Sequence, residues 1–529
     1  MTSAERNKQD SAWRWIVALA LLLFCWSHRH ALQLNGFADD LGLLAELPQR
    51  ALQGELLADV VAKWIGPLWP GSAMWRPMPY SSFALDAQIW GHAPALWRVT
   101  NLLLHVGVAC ISGLIAMCLI GLRLAGAAAF AVALLAPWAP EVTLWLVGRF
   151  DGWATLFIVG SLWAALKSRG ADRWFALSIL AVVAAYMSKE SALILPVWIA
   201  LVVIGSSAPA ATREHSNVFD IASAIARTHG LLIGCHGVVA VVYLLWRSYL
   251  FSGQAIAVYA SAPEYRMVPL TSRVLSHLAF PAGLVSLAPV AAWIVAAISA
   301  LYLVSAARRG NRSVALMGGT MAGLVVIAVA IHFANPAGSG EGYRLYYLAT
   351  VGLALIVAAA IRKSGKLSVA SLIVFISALA VWQSQVAAEW TRASHTIDGA
   401  SRAMTSAAAT LGSTEFGLVL MPDMMGHVPV ARNAQGALLT LKDGTSSARD
   451  FFIIFTPPQI EEWHRLAQED VVNKLTQRAT APPRVTRYFC FNSSNRSLED
   501  LGYWSPGTLP EWTAHWREIV AARCPELAF

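Results

Sequence analysis

About eleven mostly apolar stretches recur along this 529-residue chain, and few folds can accommodate that pattern. They lie near residues 16–34, 98–120, 124–142, 152–166, 174–187, 191–205, 229–250, 287–306, 314–332, 345–361 and 367–386. A membrane-crossing helix needs about 20 such residues, so the shorter stretches must draw on their flanks. Only 13% of the residues are charged, against about a quarter in soluble domains. The expectation is an α-helical polytopic membrane protein with about eleven transmembrane helices. A formal charge of +8 would elsewhere point to nucleic acid. Here the basic residues fall singly or in threes between apolar stretches, so topology accounts for them and no nucleic-acid partner is expected.

Met1 to Trp15 carries Arg6, Lys8 and Arg14 ahead of an apolar run, as a signal peptide does. Ser27-His28-Arg29-His30 stands where a small-residue cleavage site would be, so an uncleaved first span is expected. With the N-terminus cytoplasmic, each short inside loop carries basic residues: Arg123; Lys167, Arg169 and Arg173; Arg213 and Arg227; Arg308, Arg309 and Arg312; Arg362, Lys363 and Lys366. That is the positive-inside distribution. An odd number of spans puts the C-terminal region outside, which for a bacterial chain means the periplasmic side of the inner membrane.

The expected organisation is a transmembrane domain over 1–388, with a large outer loop at 35–97, and a soluble α/β domain over 389–529. Leu41–Leu57 is amphipathic and too charged to span, so it reads as a helix lying at the interface. Residues 275–289, broken at Pro281, read as a re-entrant or half-length helix. In the C-terminal region Phe416–Met421, Phe451–Phe455 and Val485–Phe491 read as strands, Glu461–Leu475 and Glu511–Ala522 as helices. Cys490 and Cys524 lie there too and would be able to pair if the region is outside the cytoplasm.

At the outer span ends a set of polar residues gathers: Asp39 and Asp40; Arg76-Pro77; Asn101 and His105; Glu141, Arg149 and Asp151; Lys189-Glu190; Glu341, Arg344 and Tyr347. Ionisable residues at membrane depth are costly and mark a cavity or pathway when they share a face. Structural duties compete with this reading. Asp39 and Asp40 suit the positive end of the following helix, His105 can bond a neighbouring helix, and Glu141 and Asp151 can simply pair with Arg149.

Phe37-Ala38-Asp39-Asp40, Arg76-Pro77, Asn101-Leu-Leu-Leu-His105, Pro137-Trp-Ala-Pro-Glu141, Gly148-Arg149-Phe150-Asp151, Lys189-Glu190 and Arg344-Leu-Tyr-Tyr-Leu occur in an order that resembles GT-C superfamily glycosyltransferases. The nearest resemblance is to the tetratricopeptide-bearing O-mannosyltransferases and their bacterial relatives, over roughly residues 15–390. Arg98 stands where that family commonly has histidine, and Ala136 and Ala139 replace two more. No 34-residue repeat follows. The resemblance implies sugar transfer from a polyprenyl-phosphate donor to a glycan, lipid or protein acceptor on the extracytoplasmic side, among membrane lipids.

An acceptor hydroxyl attacking an anomeric carbon needs a carboxylate base, for which Asp39 and Asp40 are the candidates. A departing lipid phosphate needs fixed cations, for which Arg149, Arg344 and Lys189 are the candidates. Arg76, Asn101, His105, Glu141, Asp151, Glu190 and Tyr347 fill supporting or acceptor-binding places. No cofactor is called for, and a divalent metal is not indicated. A transporter or flippase would also need intramembrane charges, but its motifs would recur in both halves of the chain. A non-catalytic assembly protein is the third reading, kept open by the missing histidines.

Overall fold

The computed structural model describes residues 3–69, 72–214, 218–253, 286–308, 311–332, 343–361, 366–408, 415–431, 452–455, 485–504 and 518–527. The expected half-length helix at 275–289 lies almost wholly outside these, as do the Glu461–Leu475 helix and most of Glu511–Ala522.

The chain is predominantly helical. In order come α1 (Ser3–Ser27), α2 (Asp39–Leu52), α3 (Leu56–Ile65), α4 (Pro77–Trp90), α5 (Pro94–Ile120), α6 (Arg123–Leu134), α7 (Ala139–Thr143), α8 (Arg149–Lys167), α9 (Arg173–Tyr186), α10 (Leu195–Glu214), α11 (Val218–Leu250), α12 (Pro289–Arg308), α13 (Arg312–His332), α14 (Ala349–Ala360) and α15 (Lys366–Ala408). Six helical stretches among the described residues are long and apolar enough to cross a membrane: Ser11–Gln33, which runs from α1 into the following 3-10 turn, and stretches within α5, α11, α12, α13 and α15. Four shorter apolar helices accompany them, at Arg123–Leu134, Arg173–Tyr186, Glu190–Ser206 and Ala349–Ala360. This is a polytopic membrane protein.

Local chemistry sets many of the boundaries. Prolines occupy the first position of α4 and α5, where a missing N–H costs nothing. Gly121 ends α5 in the left-handed conformation, and Asp172 caps α9 by accepting from the amides of Trp174 and Phe175. The interface helix expected over Leu41–Leu57 is two helices, because Gly54 turns the chain at φ 74° between α2 and α3.

The apolar stretch at 124–142 departs most from expectation. Its helix stops at Leu134, and 135–148 runs as turns, the short α7 and one 3-10 turn. Pro137 and Pro140 supply no N–H to continue a helix. The segment is nonetheless buried throughout. The 345–361 stretch likewise begins as a 3-10 turn, Tyr343–Tyr346, before α14.

The C-terminal region holds a four-stranded sheet in the order β4 (Phe452–Phe455), β1 (Glu415–Leu420), β5 (Val485–Asn492), β6 (Ser497–Trp504). β1 is parallel to β4 and β5, and β6 pairs antiparallel with β5. β6 had no counterpart in the sequence reading; its mixed polar run, Ser-Leu-Glu-Asp-Leu-Gly, hides the alternation of an edge strand. A hairpin, β2 (Met424–Met425) and β3 (Val428–Pro429), projects from this region. Cys490 and Cys524 form a disulfide.

Two large apolar cores stand out among the described residues. One fills the helical bundle, from Ile16 and Phe130 to Leu355 and Ile376. The other joins Phe37 and Leu44 of the first loop, Phe83, Trp97, Trp145 and Phe150, Trp390 and Ile397 of α15, and Val419, Val428, Val430 and Phe489 of the C-terminal region. α15 is 43 residues long, about 64 Å at about 1.5 Å per residue, so it leaves the bundle and continues into this second core. It crosses the expected boundary at residue 388 without a break.

Candidate active site

Residues 134–148 carry irregular backbone through the protein interior, which is tolerated at membrane depth only where other protein groups satisfy it. The polar motifs around it do so. His105 Nε2 lies 2.9 Å from the Leu134 carbonyl, and Gln383 Nε2 donates to the carbonyls of Leu134 and Ala136. Asn101 donates through its amide to the carbonyls of Val142, Trp145 and Leu146. Arg98 donates to Leu144 O at 2.7 Å and clamps the first loop through the carbonyls of Ala31, Leu34 and Asn35. Gly148 is required by packing, since a Cβ there would sit 2.5 Å from the Glu141 carbonyl oxygen.

The two acids occupy different environments. Asp40 is fully buried in the first turn of α2. Its Oδ2 accepts from the amides of Phe37 (3.2 Å) and Leu146 (3.1 Å), and its Oδ1 from that of Val147 (3.0 Å). Burial raises its carboxyl pKa to about 7, against the pull of those amides and of Arg98. Asp39 is half-buried beside it. The residue before it, Ala38, has φ 46°, a region that non-glycine residues rarely adopt. Trp145 Nε1 donates to the Phe37 carbonyl, so the turn bearing Asp39 rests on the irregular segment.

The cation candidates separate in the same way. Arg149 is fully buried, and all three of its guanidinium nitrogens are engaged. Nε donates to Asn101 Oδ1, Nη1 reaches Ser82 Oγ at 3.4 Å, and Nη2 donates to the Trp97 carbonyl and pairs with Asp86 at 2.6 Å. The group also lies over Phe83. This is a brace between α4, α5 and α8, and a donor phosphate would have to break the Asp86 pair to reach it. Burial of Asp86, on α4, raises its pKa, with Arg149 opposing.

Lys189 Nζ bonds Asp151 Oδ1 at 2.5 Å. Arg344 is about one-fifth exposed, with Nε 3.8 Å from Glu141 and 4.0 Å from Asp151. Its guanidinium stacks on Trp145 at 4.2 Å. Arg76 pairs with Glu190 at 2.9 Å and lies over Phe150. Glu190 is held from its other side by Arg247 (2.9 Å), which also donates to the Ala73 carbonyl. The cluster of Arg76, Lys189, Arg247 and Arg344 with Glu141, Asp151 and Glu190 thus has one more cation than acids. His105 and Tyr347 lie deeper, joined at 2.6 Å with both side chains buried. Glu341 lies outside the described residues.

Sequence reasoning passed over Asp86, Arg247, Gln383 and His427. Arg247 had a readable signal, a lone arginine in the apolar run of α11. Gln383 and Asp86 had none, since what marks them is a partner distant in sequence. Among the described residues no group of three His, Cys, Asp or Glu side chains is arranged to hold a metal ion.

No protein-family model and no curated protein matches the chain. Two solved structures resemble it. ArnT from Cupriavidus metallidurans bound to undecaprenyl phosphate is 11% identical, with a TM-score of 0.49, over 92% of this chain and 94% of that one. The same protein in the apo state is 13% identical, with a TM-score of 0.46, over 94% of each chain.

Proposed function

We propose that this chain is a GT-C-type membrane glycosyltransferase that moves a sugar from a polyprenyl-phosphate donor to an acceptor hydroxyl outside the cytoplasm. The observation that carries the reading is a junction. Trp145 bonds the turn presenting Asp39 at one end and carries Arg344 on its face at the other. The turn bearing a half-buried carboxylate and a member of the cationic cluster therefore both rest on one buried tryptophan. The ordered motifs of the sequence support the same assignment.

In this mechanism Asp39 takes the proton of the acceptor hydroxyl as its oxygen attacks the anomeric carbon. The bond from that carbon to the phosphate oxygen breaks, and its electron pair leaves with the lipid phosphate, so the configuration inverts. Arg344 and Lys189 stabilise the phosphate as its charge develops, with Arg76 alongside. Asp40 anchors the turn rather than acting as the base, and Arg149 with Asn101 braces the wall. Glu141, Asp151 and Glu190 hold the cations in place, while His105 and Tyr347 support the segment from below. The basic inside loops and the Cys490–Cys524 disulfide support an extracytoplasmic C-terminal region.

The test is Asp39→Asn in the full-length protein. Transfer should fall at least about 100-fold, as for loss of a general base, with the unfolding temperature unchanged. Wild-type transfer by this variant would overturn the assignment.

A further inference from the structure

The hairpin Met424–Pro429 reaches from the C-terminal region to the turn that presents Asp39. Val430, directly after it, accepts from the Ala38 amide at 3.0 Å, and its own amide donates to the Asp423 carbonyl at 2.9 Å. Ala38 is the residue held at φ 46°. A strained non-glycine residue persists where its surroundings over-determine it, and such residues gather at functional sites. Here one of the determining bonds comes from nearly 400 residues downstream in the sequence.

The same hairpin carries His427 at its tip. Gly426, at φ 60°, opens the two-residue turn, as glycine does at the first position of such hairpins. His427 is 8% exposed, and its Nε2 is buried with no hydrogen-bond partner among the described residues. Buried polar atoms are nearly always paired, so an unpaired one invites a ligand group. Its ring meets Tyr343 edge-on at 5.5 Å and Trp390 at 6.5 Å. Trp390 in turn packs on Phe37 and Trp145, so His427 sits in an aromatic setting between the Asp39 turn and Arg344.

We propose that the C-terminal region completes the transfer site, with His427 binding a hydroxyl of the transferred sugar and Val430 holding the strained turn that presents Asp39. The first half rests on the function proposed above; the second does not. Burial and the nearby Arg392 depress the His427 pKa to about 4, which keeps the ring neutral at working pH. A neutral imidazole among aromatic rings suits a sugar hydroxyl better than a phosphate, which the arginines and Lys189 serve.

Two measurements on the full-length protein separate the halves. The first compares His427→Ala with His427→Gln, whose amide can replace the Nε2 bond. Release of undecaprenyl phosphate is followed from a panel of undecaprenyl-phosphate hexoses and pentoses, in membranes that supply the acceptor. His427→Ala should raise the donor KM or lower kcat about tenfold with an unchanged unfolding temperature, and His427→Gln should recover part of it. Both variants staying within twofold of wild type would remove the role of His427 while leaving the proposed function intact. Turnover of no panel member by the wild type would count against the function and this role together.

The second measures amide hydrogen exchange in the peptide over 36–41 for Gly426→Val, which strains the hairpin turn. Exchange should quicken at least about tenfold at Ala38. Unchanged exchange would overturn the coupling, whatever the enzyme assay gives.

Discussion

Replacing Asp40 with asparagine tests the division of labour between the two acids. Asp40 accepts three backbone N–H bonds, two on Oδ2 and one on Oδ1. In Asp40→Asn one of those oxygens becomes an NH2 group, which cannot accept. The better placement keeps oxygen at the doubly bonded position and leaves the Val147 amide buried and unsatisfied, at a cost of about 1–3 kcal/mol. Burial keeps the carboxyl largely protonated below pH 7, so the unsatisfied Val147 amide dominates and a net destabilisation of about 1–3 kcal/mol is expected. Thermal unfolding of the detergent-purified protein would show it as a midpoint several degrees lower. Asp39→Asn in the same assay should leave the midpoint in place while abolishing transfer. If Asp40→Asn unfolds with the wild type, or if Asp39→Asn is equally destabilised, the reasoning fails.

Further outcomes follow from the same contacts. Because burial lifts the Asp40 pKa from 3.8 to about 7, the native protein holds that proton more tightly than the unfolded chain between these values. The contribution of Asp40 to stability is therefore full below pH 4 and lost as pH rises through 7; the difference in unfolding midpoint between wild type and Asp40→Asn should shrink over that window. Arg98→Lys should cost about 3 kcal/mol or more and loosen the first loop, since one ammonium cannot reach all four carbonyls; a stability within about 0.5 kcal/mol of wild type, the margin of a surface change, would contradict the clamp. Gln383→Leu, which leaves an amide-free side chain facing the Leu134 and Ala136 carbonyls, should cost about 2 kcal/mol by the same measurement. Arg344→Ala should raise the donor KM about tenfold or more and leave acceptor dependence alone, read in steady-state assays of reconstituted protein.

The chain's own pattern shows most of the architecture, because crossing a bilayer imposes length and apolarity on each helix directly. The recurring apolar stretches and the long loop after the first of them are legible in this way, and three of the strands by their own pattern. So is the set of polar motifs that ends up around one buried segment, since charge at membrane depth is rare enough to stand out. Their roles are not legible, because role depends on burial and partners. Asp39 and Asp40 are chemically identical neighbours, and two of the three amides that hold Asp40 lie 106 and 107 residues away in sequence. Nothing local to Arg149 in the sequence records that Asp86, Asn101 and the Trp97 carbonyl surround it. The apolar run at 124–142 reads as one helix, yet it breaks at Leu134. The freed carbonyls there are satisfied in part by Gln383, 249 residues from Leu134 in sequence, a condition no local propensity records. Composition determined that the chain lives in a membrane as helices; long-range hydrogen bonding decided which polar residues brace the buried segment.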